Sequence, residues 1–219
     1  MIGLGVVIQA GGLGTRLGGV FDGPKALAPL ADGTLIDHLL DRVAALEPER
    51  IVVLAHHRAD EVAAAVADRA EVIVEEAPLG TAGGLALLPE GPSRWIVLNV
   101  DHVSDLDLAA LAARPRDTAV VQPFELLVDE GVIDVVDGRV AGVRERPRLA
   151  LHRSIGAYRF DAATLGALPP ERLDMPELLA RLAEGGLDVF VHDGTWFDAG
   201  TPERLAAADV WVRANRTRG

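Results

Sequence analysis

A glycine-rich stretch near the start of the chain carries the residue types that hold phosphate groups. Residues 9–19, QAGGLGTRLGG, follow the apolar run LGVVI and place five glycines around a single cation, Arg16. Glycines between a strand and a helix let backbone N–H groups approach phosphate oxygens, because no Cβ stands in the way. A second cation, Lys25, follows in the segment DGPKAL. The pattern predicts a binding site for a phosphorylated ligand.

Two common phosphate-binding loops do not fit this stretch. The triphosphate loop G-x-x-x-x-G-K-[ST] does not occur in the chain. The dinucleotide pattern G-x-G-x-x-G begins with Gly12 and Gly14, but Leu17 stands where the third glycine belongs. The acidic residue expected near the end of the second strand is also missing, since that strand runs into His56 and His57. These departures argue against an NAD enzyme.

Composition excludes several other classes of function. The chain has 219 residues and a formal net charge of −12, which disfavours nonspecific binding to nucleic acid or to an anionic membrane. It has no cysteine, which removes disulfides, thiolate zinc sites and cysteine nucleophiles. The apolar N-terminus lacks the basic segment of a signal peptide, and no apolar run has the length of a membrane span. We therefore expect a soluble cytoplasmic protein.

Apolar runs alternate with helical patterns through the first half of the chain. The predicted strands cover residues 4–10, 50–56, 70–76 and 94–100. The predicted helices cover residues 34–46, 59–68, 81–89 and 105–113, and Pro89 ends the third of them. This alternation predicts a mostly parallel sheet with helices on both faces.

After about Asp117 the pattern changes to strands joined by tight turns. The predicted strands cover residues 117–127, 130–146, 152–160 and 187–193, with a hairpin signal at Asp137-Gly138. Helices are predicted over residues 175–186, where two glycines end the helix, and from about residue 202 onward. We predict one α/β domain over residues 1–219: a Rossmann-like three-layer sandwich with a mixed, mostly parallel central sheet and an added β-hairpin region at the sheet edge.

The glycine loop, extended to AGGLGTRLGGVFDGPKAL, resembles the signature of the sugar-nucleotidyltransferase family, also called NDP-sugar pyrophosphorylases. Three further segments agree in the right order: EAPLGTAGGL at 76–85 with the family's nucleobase loop, NVDHVSD at 99–105 with its first metal-binding aspartate, and WFDAGTPERL at 196–205 with its second. RERP at 144–147 and SIGAYRF at 154–160 are weaker similarities to its sugar-site strands. The resemblance implies a GT-A-like fold with a nucleotide-binding half at about 1–115 and a sugar-binding half at about 116–219.

The resemblance also implies a role for individual residues. Arg16 would face the β- and γ-phosphates of a nucleoside triphosphate, Lys25 would reach the α-phosphate region, and Asp101 and Asp198 would hold Mg²⁺. These four are the implied catalytic residues. The implied nucleotide-binding residues are Gln9, Ala10, Gly11, Gly12, Gly14, Thr15, Arg16, Lys25, Pro78, Gly80, Thr81 and Gly83. The implied sugar-binding residues are Asn99, Glu145, Arg146, Ser154 and Gly156.

The chemistry of the family suits these residue types. An oxygen of a sugar-1-phosphate attacks the α-phosphorus of the triphosphate, and pyrophosphate leaves. The nucleophile is already an anion, so the difficulty is to bring two polyanions together and to neutralise charge in the in-line displacement. Carboxylates holding Mg²⁺ are suited to that task. The expected partners are therefore a triphosphate and a sugar-1-phosphate, with neither nucleic acid nor membrane, and a homodimer is left open.

Several departures from the family pattern fall near the substrates. Val100 replaces a glycine beside the first metal ligand, Arg146 replaces a lysine, and Gln9 and Ser154 replace leucine and asparagine. Trp196 fits core packing and a wall of the sugar site equally well. The loop PLGTAGG most resembles those of mannose- and heptose-1-phosphate guanylyltransferases, which favours GTP and a manno-like hexose or heptose. The alternatives are a uridylyl-, cytidylyl- or other nucleotidyltransferase for a different sugar phosphate, and a catalytically silent nucleotide- or sugar-phosphate-sensing module.

Overall fold

The computed structural model describes residues 3–12, 14, 17–18 and 20–215. The strands of this part of the chain are β1 Leu4–Gln9, β2 Pro29–Leu30, β3 Gly33–Thr34, β4 Arg50–Ala55, β5 Glu71–Val74, β6 Arg94–Asn99, β7 His102–Ser104, β8 Thr118–Leu127, β9 Gly131–Val136, β10 Arg139–Glu145, β11 Arg148–Asp161, β12 Asp188–Val191 and β13 Trp196–Asp198. The α-helices are α1 Leu35–Ala44, α2 Ala59–Val66, α3 Gly80–Gly83, α4 Leu108–Ala112, α5 Ala162–Gly166, α6 Met175–Glu184 and α7 Pro202–Asn215. Short 3-10 turns cover Lys25–Leu27, Ala67–Arg69 and Gly84–Leu87.

Seven of the described strands form the central sheet, in the order β12-β8-β11-β6-β1-β4-β5. β1 pairs in parallel with β4 and β6, β4 pairs in parallel with β5, and β12 pairs in parallel with β8. β11 is antiparallel to both of its neighbours, β6 and β8. The predicted mixed, mostly parallel sheet is therefore confirmed.

Each face of the sheet is covered by its own set of helices. On β1 the alternation of side chains sends Val6 and Ile8 to one face and Val7 to the other, and all three are fully buried. The first face packs against α1, α2 and α4, and the second packs against α3, α5 and α6. Burial on both faces explains the unbroken apolar sequence of this strand and confirms the three-layer prediction. None of the described helices is both long and apolar enough to cross a membrane.

The hairpin predicted at Asp137-Gly138 forms, but it lies outside the central sheet. Asp137 and Gly138 both have positive φ angles, 50° and 74°, as a type I′ turn requires. β9 and β10 pair only with each other, whereas β8, β11 and β12 extend the central sheet beyond β6. The second half of the chain therefore contributes both sheet strands and a separate hairpin.

Two three-residue strands that the sequence pattern did not predict fix the C-terminal segment. β13 pairs antiparallel with β7, so that Asp198 lies opposite His102. α7 follows directly and packs on Leu30 of β2 and Val103 of β7 through Leu205. This small sheet brings residues distant in sequence to the same end of β6.

Candidate active site

The larger of two adjoining cavities lies where β1, β4, β5 and β6 end. Parallel strands present their carboxyl ends at one edge of the sheet, where ligands of α/β proteins are usually bound. The cavity has a volume of about 320 Å³. Its lining residues are Gln9, Gly11, Gly12, Lys25, Leu54, Glu75, Pro78, Gly80, Thr81, Asn99 and Asp101. Nine of these eleven are among the residues that the sequence assigned to the site.

Lys25 is the one cation among the described residues that line this cavity, and it is the single lysine of the chain. It lies in the 3-10 turn that follows Pro24, and its Nζ is 2.6 Å from Oδ2 of Asp101. A Cβ at Gly12 would meet only the Lys25 Cε, at 3.9 Å. The backbone of Gly12 therefore faces open space beside an ammonium group, which suits an anionic ligand.

Asp101 is buried, at 8% relative exposure, and its carboxyl group faces both Lys25 and the C-terminal segment. Burial acts to raise the pKa of Asp101, but the charge and hydrogen bond of Lys25, together with hydrogen bonds with Asp198 and the backbone, hold the pKa below its usual value. The side chain points to the cavity, whereas the preceding residue, Val100, is buried in the core beneath the sheet edge. Valine is therefore accommodated beside the predicted metal ligand without entering the cavity.

Asp198 is brought beside Asp101 by the pairing of β13 with β7. The backbone N–H of Ala199 donates to the carbonyl oxygen of Asp101 at 2.9 Å, which ties the two segments together. The Asp198 carboxylate accepts hydrogen bonds from the Gly200 backbone N–H at 3.1 Å and from Arg204 Nη1 at 2.8 Å. Two carboxylates from distant parts of the chain thus share one site.

The donor set of this site suits a divalent cation that shares its ligands with phosphates. The described residues contain no group of three or more His, Cys, Asp or Glu side chains placed to hold a metal by themselves. Mg²⁺ is typically bound by one or two carboxylates together with waters and substrate phosphates. Asp101 and Asp198 fit that pattern, and they do not fit a closed structural metal site.

The predicted nucleobase loop is fixed by contacts to β1 and α6. The Gln9 amide donates to the carbonyl oxygen of Thr81, and the Thr81 hydroxyl accepts from the Met175 backbone N–H at 2.7 Å. Gly80 has a φ of 78°, and a Cβ there would lie 2.5 Å from the carbonyl oxygen of Leu173. These contacts anchor the loop to β1 and α6 and place Pro78, Gly80 and Thr81 on the cavity wall.

Glu75 is a cavity residue that the sequence analysis did not identify. It lies just after β5, is buried at 7% relative exposure, and accepts a weak hydrogen bond from the Leu79 backbone N–H at 3.4 Å. Burial raises the pKa of the Glu75 carboxyl group above its usual value. Its position directly before the segment EAPLGTAGGL is the signal that could have identified it.

The smaller cavity adjoins the larger one and shares Asn99 and Asp101 with it. It has a volume of about 190 Å³ and is lined by Asn99, Asp101, His102, Ser154, Ile155, Gly156, Trp196 and Asp198. Gly156 has a φ of 70°, and a Cβ there would lie 2.5 Å from Asn99 Nδ2. The β-bulge of β11 between Ser154 and Tyr158 makes this close approach and opens the cavity.

His102 forms the floor of the smaller cavity as a neutral side chain. Its Nδ1 is 2.7 Å from the carbonyl oxygen of Ile155, and its Nε2 is 2.7 Å from the Ser104 hydroxyl. Burial lowers the pKa of His102 to about 4. The ring therefore positions β7 against β11 and adds no charge beside Asp101.

Several predicted site residues line neither cavity. Ala10 and Gly83 are buried, and Gly14, with a φ of 65°, packs against Lys25. Glu145 and Arg146 lie at the end of the β9–β10 hairpin, where Arg146 pairs with Asp129. Thr15 and Arg16 lie outside the described residues. The roles assigned to these residues stay predictions.

Comparison with known proteins identifies relatives that use nucleotides and sugar phosphates. The model of the MobA-like NTP transferase domain matches residues 6–127. The chain is 29% identical over 220 aligned residues to the mannose-1-phosphate guanylyltransferase of Mycobacterium tuberculosis, covering 90% of this chain and 61% of that protein. It is 30% identical over 144 residues to the mannose-1-phosphate guanylyltransferase catalytic subunit beta of Xenopus tropicalis, covering 59% of this chain and 40% of that protein. The chain thus spans about two fifths to three fifths of the length of these curated relatives.

Solved structures with the same fold cover almost the whole chain. HddC from Yersinia pseudotuberculosis, complexed with GMP-PN, superposes with a TM-score of 0.70 at 23% identity, over 94% of this chain and 98% of that one. A putative glucose-1-phosphate thymidylyltransferase from Bacillus anthracis, in complex with a sucrose, superposes with a TM-score of 0.73 at 19% identity, over 96% and 95% of the two chains. At these identities the similarity establishes the fold.

Proposed function

The chain belongs to the MobA-like NTP transferase domain family, and from this premise we propose that it transfers a nucleoside monophosphate from an NTP to a sugar-1-phosphate. The products are an NDP-sugar and pyrophosphate. The nucleotide occupies the larger cavity, and the sugar phosphate occupies the smaller one. The mannose-1-phosphate guanylyltransferases among the relatives support this assignment.

The observation that carries the proposal is the junction between the two cavities. Asn99 and Asp101 line both cavities, and Lys25 lies at the junction, 2.6 Å from Asp101. Two phosphorylated substrates placed in the two cavities meet at this point. Holding both reactants in line replaces a bimolecular encounter between like charges with an effectively unimolecular step.

The reaction at this junction needs no general base. An oxygen of the sugar phosphate forms a new bond to the α-phosphorus while the bond from the α-phosphorus to the bridging oxygen of the β-phosphate breaks. The electron pair leaves with pyrophosphate, and no proton is transferred. The Lys25 ammonium lies where negative charge accumulates on the α-phosphate oxygens, and it stabilises the transition state more than the ground state.

Asp101 and Asp198 would hold Mg²⁺ in this scheme. When bound, the cation supplies charge neutralisation for the phosphates of both substrates. Arg204 orients the Asp198 carboxylate through its 2.8 Å hydrogen bond, and Lys25 does the same for Asp101. The protein's contribution is to fix the two carboxylates through the β7–β13 pairing before the substrates arrive.

Glu75 supports GTP as the nucleotide. A carboxylate has only acceptor oxygens, and guanine presents two donors side by side, N1–H and the N2 amino group. Adenine presents an acceptor at N1, so adenine would leave the buried Glu75 carboxylate with only its weak hydrogen bond from Leu79, at a cost of about 1–3 kcal/mol. Uracil and thymine offer the Glu75 carboxylate a single N–H, at N3. The expected order is therefore GTP first, then UTP and dTTP, then ATP and CTP.

The sugar is proposed to be a manno-configured hexose or heptose, carried as its 1-phosphate. The test is the initial rate of pyrophosphate release with GTP, ATP, UTP, CTP and dTTP against mannose-, glucose- and heptose-1-phosphates. The highest rates are expected with GTP and a manno-configured sugar. UTP or CTP clearly ahead of GTP would overturn the assignment of the base and leave the reaction class standing. No pyrophosphate from any pair would favour the silent sensing module.

The single lysine offers a separate measure of where the nucleotide binds. An amine-reactive reagent can modify only Lys25 and the N-terminal amine, and mass spectrometry resolves the two positions. GTP with Mg²⁺ is expected to protect Lys25 and to leave the N-terminal amine as reactive as before. Equal modification of Lys25 with and without nucleotide would contradict the proposal that the triphosphate binds in the larger cavity.

A further inference from the structure

Arg153 lies beside Trp196, a residue that lines the smaller cavity, and its guanidinium group lies over two aromatic rings. Its guanidinium carbon is 4.6 Å from the centre of the Phe124 ring and 5.6 Å from the centre of the Trp196 ring. Trp196 is itself a wall of the smaller cavity. A guanidinium over aromatic faces is held by cation–π attraction, and its N–H edges stay free to bind another group.

No carboxylate neutralises Arg153 within the part of the chain that the structure describes. The three arginines that most closely precede Arg153 in the sequence are paired: Arg144 with Asp134 at 2.9 Å, Arg148 with Glu125 at 3.1 Å, and Arg146 with Asp129. Arg153 takes part in none of the ion pairs of the described residues. A chain with net charge −12 thus leaves one positioned cation beside its sugar cavity without a carboxylate.

The position of Arg153 along the cavity indicates which part of a ligand it would meet. Asp198 and Trp196 are two residues apart on β13, so their side chains lie on one face about 6–7 Å apart. The Asp198 end adjoins Asp101 and Lys25, where the proposed reaction places the phosphate on C1. Arg153 contacts Trp196, so in the proposed binding mode it would face the part of the sugar remote from C1. The segment that carries Trp196 is held over β8 by a 2.8 Å hydrogen bond from the Gln122 amide to the Gly194 carbonyl oxygen.

We propose that Arg153 recognises a second anionic group on the sugar, remote from C1, so that the preferred acceptor is an acidic sugar-1-phosphate. This inference rests on the proposed function and adds the class of substrate to it. A guanidinium binds a carboxylate or a phosphate through two parallel N–H bonds, and both groups are compatible with this position. Stacking on Phe124 and Trp196 pre-organises the guanidinium and reduces the entropy lost on binding.

The test measures binding, so it does not depend on turnover. The dissociation constants of mannose 1-phosphate, mannuronate 1-phosphate and mannose 1,6-bisphosphate are measured by titration calorimetry for the wild type, Arg153→Gln and Arg148→Gln. Arg148 is the matched control, because it lies on the same strand and is already paired with Glu125. The wild type is expected to prefer at least one of the two acidic sugars by about tenfold over mannose 1-phosphate. Arg153→Gln is expected to abolish that preference, and Arg148→Gln is expected to keep it.

The outcomes separate this inference from the proposed function. A preference for mannuronate 1-phosphate alone assigns a carboxylate, and a preference for the bisphosphate alone assigns a phosphate. Equal weakening of all three sugars in Arg153→Gln would mean that Arg153 binds the phosphate on C1, which overturns the inference. Equal binding of all three by the wild type, or binding of none, overturns it as well. The proposed function fails on a different result, the absence of pyrophosphate from every pair of substrates.

Discussion

The two cavities are built in different ways, although they share Asn99 and Asp101. Most residues of the larger cavity lie at or shortly after the ends of parallel strands, so their neighbours are set by the order of β1, β4, β5 and β6. Lys25 joins them from the 3-10 turn Lys25–Leu27. The smaller cavity depends on antiparallel contacts between distant segments: the bulge of β11 and the three-residue pairing of β13 with β7. The larger cavity therefore depends on the order of the parallel strands, whereas the smaller cavity depends on the register in which particular antiparallel strands pair.

This difference in construction indicates which cavity can vary in its substrate specificity. Backbone and glycines dominate the wall that would face the triphosphate, and such a wall accepts any nucleotide of the right shape. The wall of the smaller cavity carries side chains from four strands, including Ser154 and Trp196, and Arg153 lies next to Trp196. A change in one strand register there alters several side chains at once. We infer that the reaction is fixed by the first region and that the choice of sugar is fixed by the second.

The largest expected effect comes from breaking the junction that joins the two cavities. Asp198→Asn keeps the shape of the side chain but removes the charge that would hold Mg²⁺, so turnover should fall by roughly 10³-fold or more. Excess EDTA should abolish turnover of the wild type, and added Mg²⁺ should restore it. Asp193→Asn is the matched control, because this exposed aspartate lies on the same segment away from both cavities. Full activity of Asp198→Asn, with an unchanged circular dichroism spectrum, would remove the two-carboxylate mechanism.

Lys25→Ala should have the next largest effect. In the proposed reaction the ammonium group meets charge that develops at the α-phosphate, so kcat should fall by on the order of 10²-fold, as when one oxyanion donor is lost. Lys25→Arg keeps the charge but brings a planar, bulkier group beside Gly12, and it should restore only part of the rate. The comparison of kcat with KM decides the role, since a change confined to KM would mean that Lys25 only assists binding.

The sequence predicted the larger cavity better than the smaller one for a physical reason. Gly12 and Asp101 come shortly after strands whose apolar runs are unmistakable, and the parallel pairing of β1 with β6 brings them together. Lys25 was assigned through the family resemblance. Glu75 was missed because it stands at the end of a strand, one residue before the segment that carries the family resemblance. The fold class and nearly every element of the sheet followed from periodicity in the same way.

The short strands β7 and β13, the placement of the hairpin and the contacts of Arg153 could not be predicted, because they depend on contacts between residues distant in sequence. β7 and β13 have three residues each, too few to show an alternation. The sequence indicated the turn at Asp137-Gly138 but not that its hairpin stands apart from the sheet, which leaves Glu145 and Arg146 away from both cavities. The cation–π contacts of Arg153 need Phe124 and Trp196, which are 72 positions apart, to meet at one place.

Glu75 offers a sharper test of the first region, with an intermediate effect. Glu75→Gln replaces one acceptor oxygen with an amino group, so the preference for GTP over ATP in kcat/KM should fall by about tenfold. Burial raises the pKa of the wild-type carboxyl group, so it takes up a proton at a higher pH than an ordinary glutamate. As the pH falls through this raised pKa, the carboxylate is lost and the KM for GTP should rise.

The matched variant supplies the control for this pH dependence. A glutamine side chain does not titrate, so in Glu75→Gln the KM for GTP should stay constant over the acidic range where the wild type changes. Identical pH profiles for the two proteins would show that Glu75 does not contact the base. A preference for GTP that survives the substitution would assign base recognition to the backbone of the 78–83 loop instead.

Substitutions of Gly12 and Gly83 should have the smallest effects, and they distinguish a glycine that faces the ligand from one that is needed for packing. A Cβ at Gly83 would overlap the carbonyl oxygen of Glu171, whereas a Cβ at Gly12 would meet only the Lys25 Cε at 3.9 Å. Gly83→Ala should therefore lower stability by about 1–3 kcal/mol, or a few degrees in Tm, and leave the KM for the nucleotide nearly unchanged. Gly12→Ala should keep the Tm of the wild type and raise that KM several-fold, because its methyl group occupies space that the phosphates would use. Scanning calorimetry and initial rates on both variants decide the matter: an unaltered KM in Gly12→Ala, or a raised KM at constant Tm in Gly83→Ala, would reverse the two assignments.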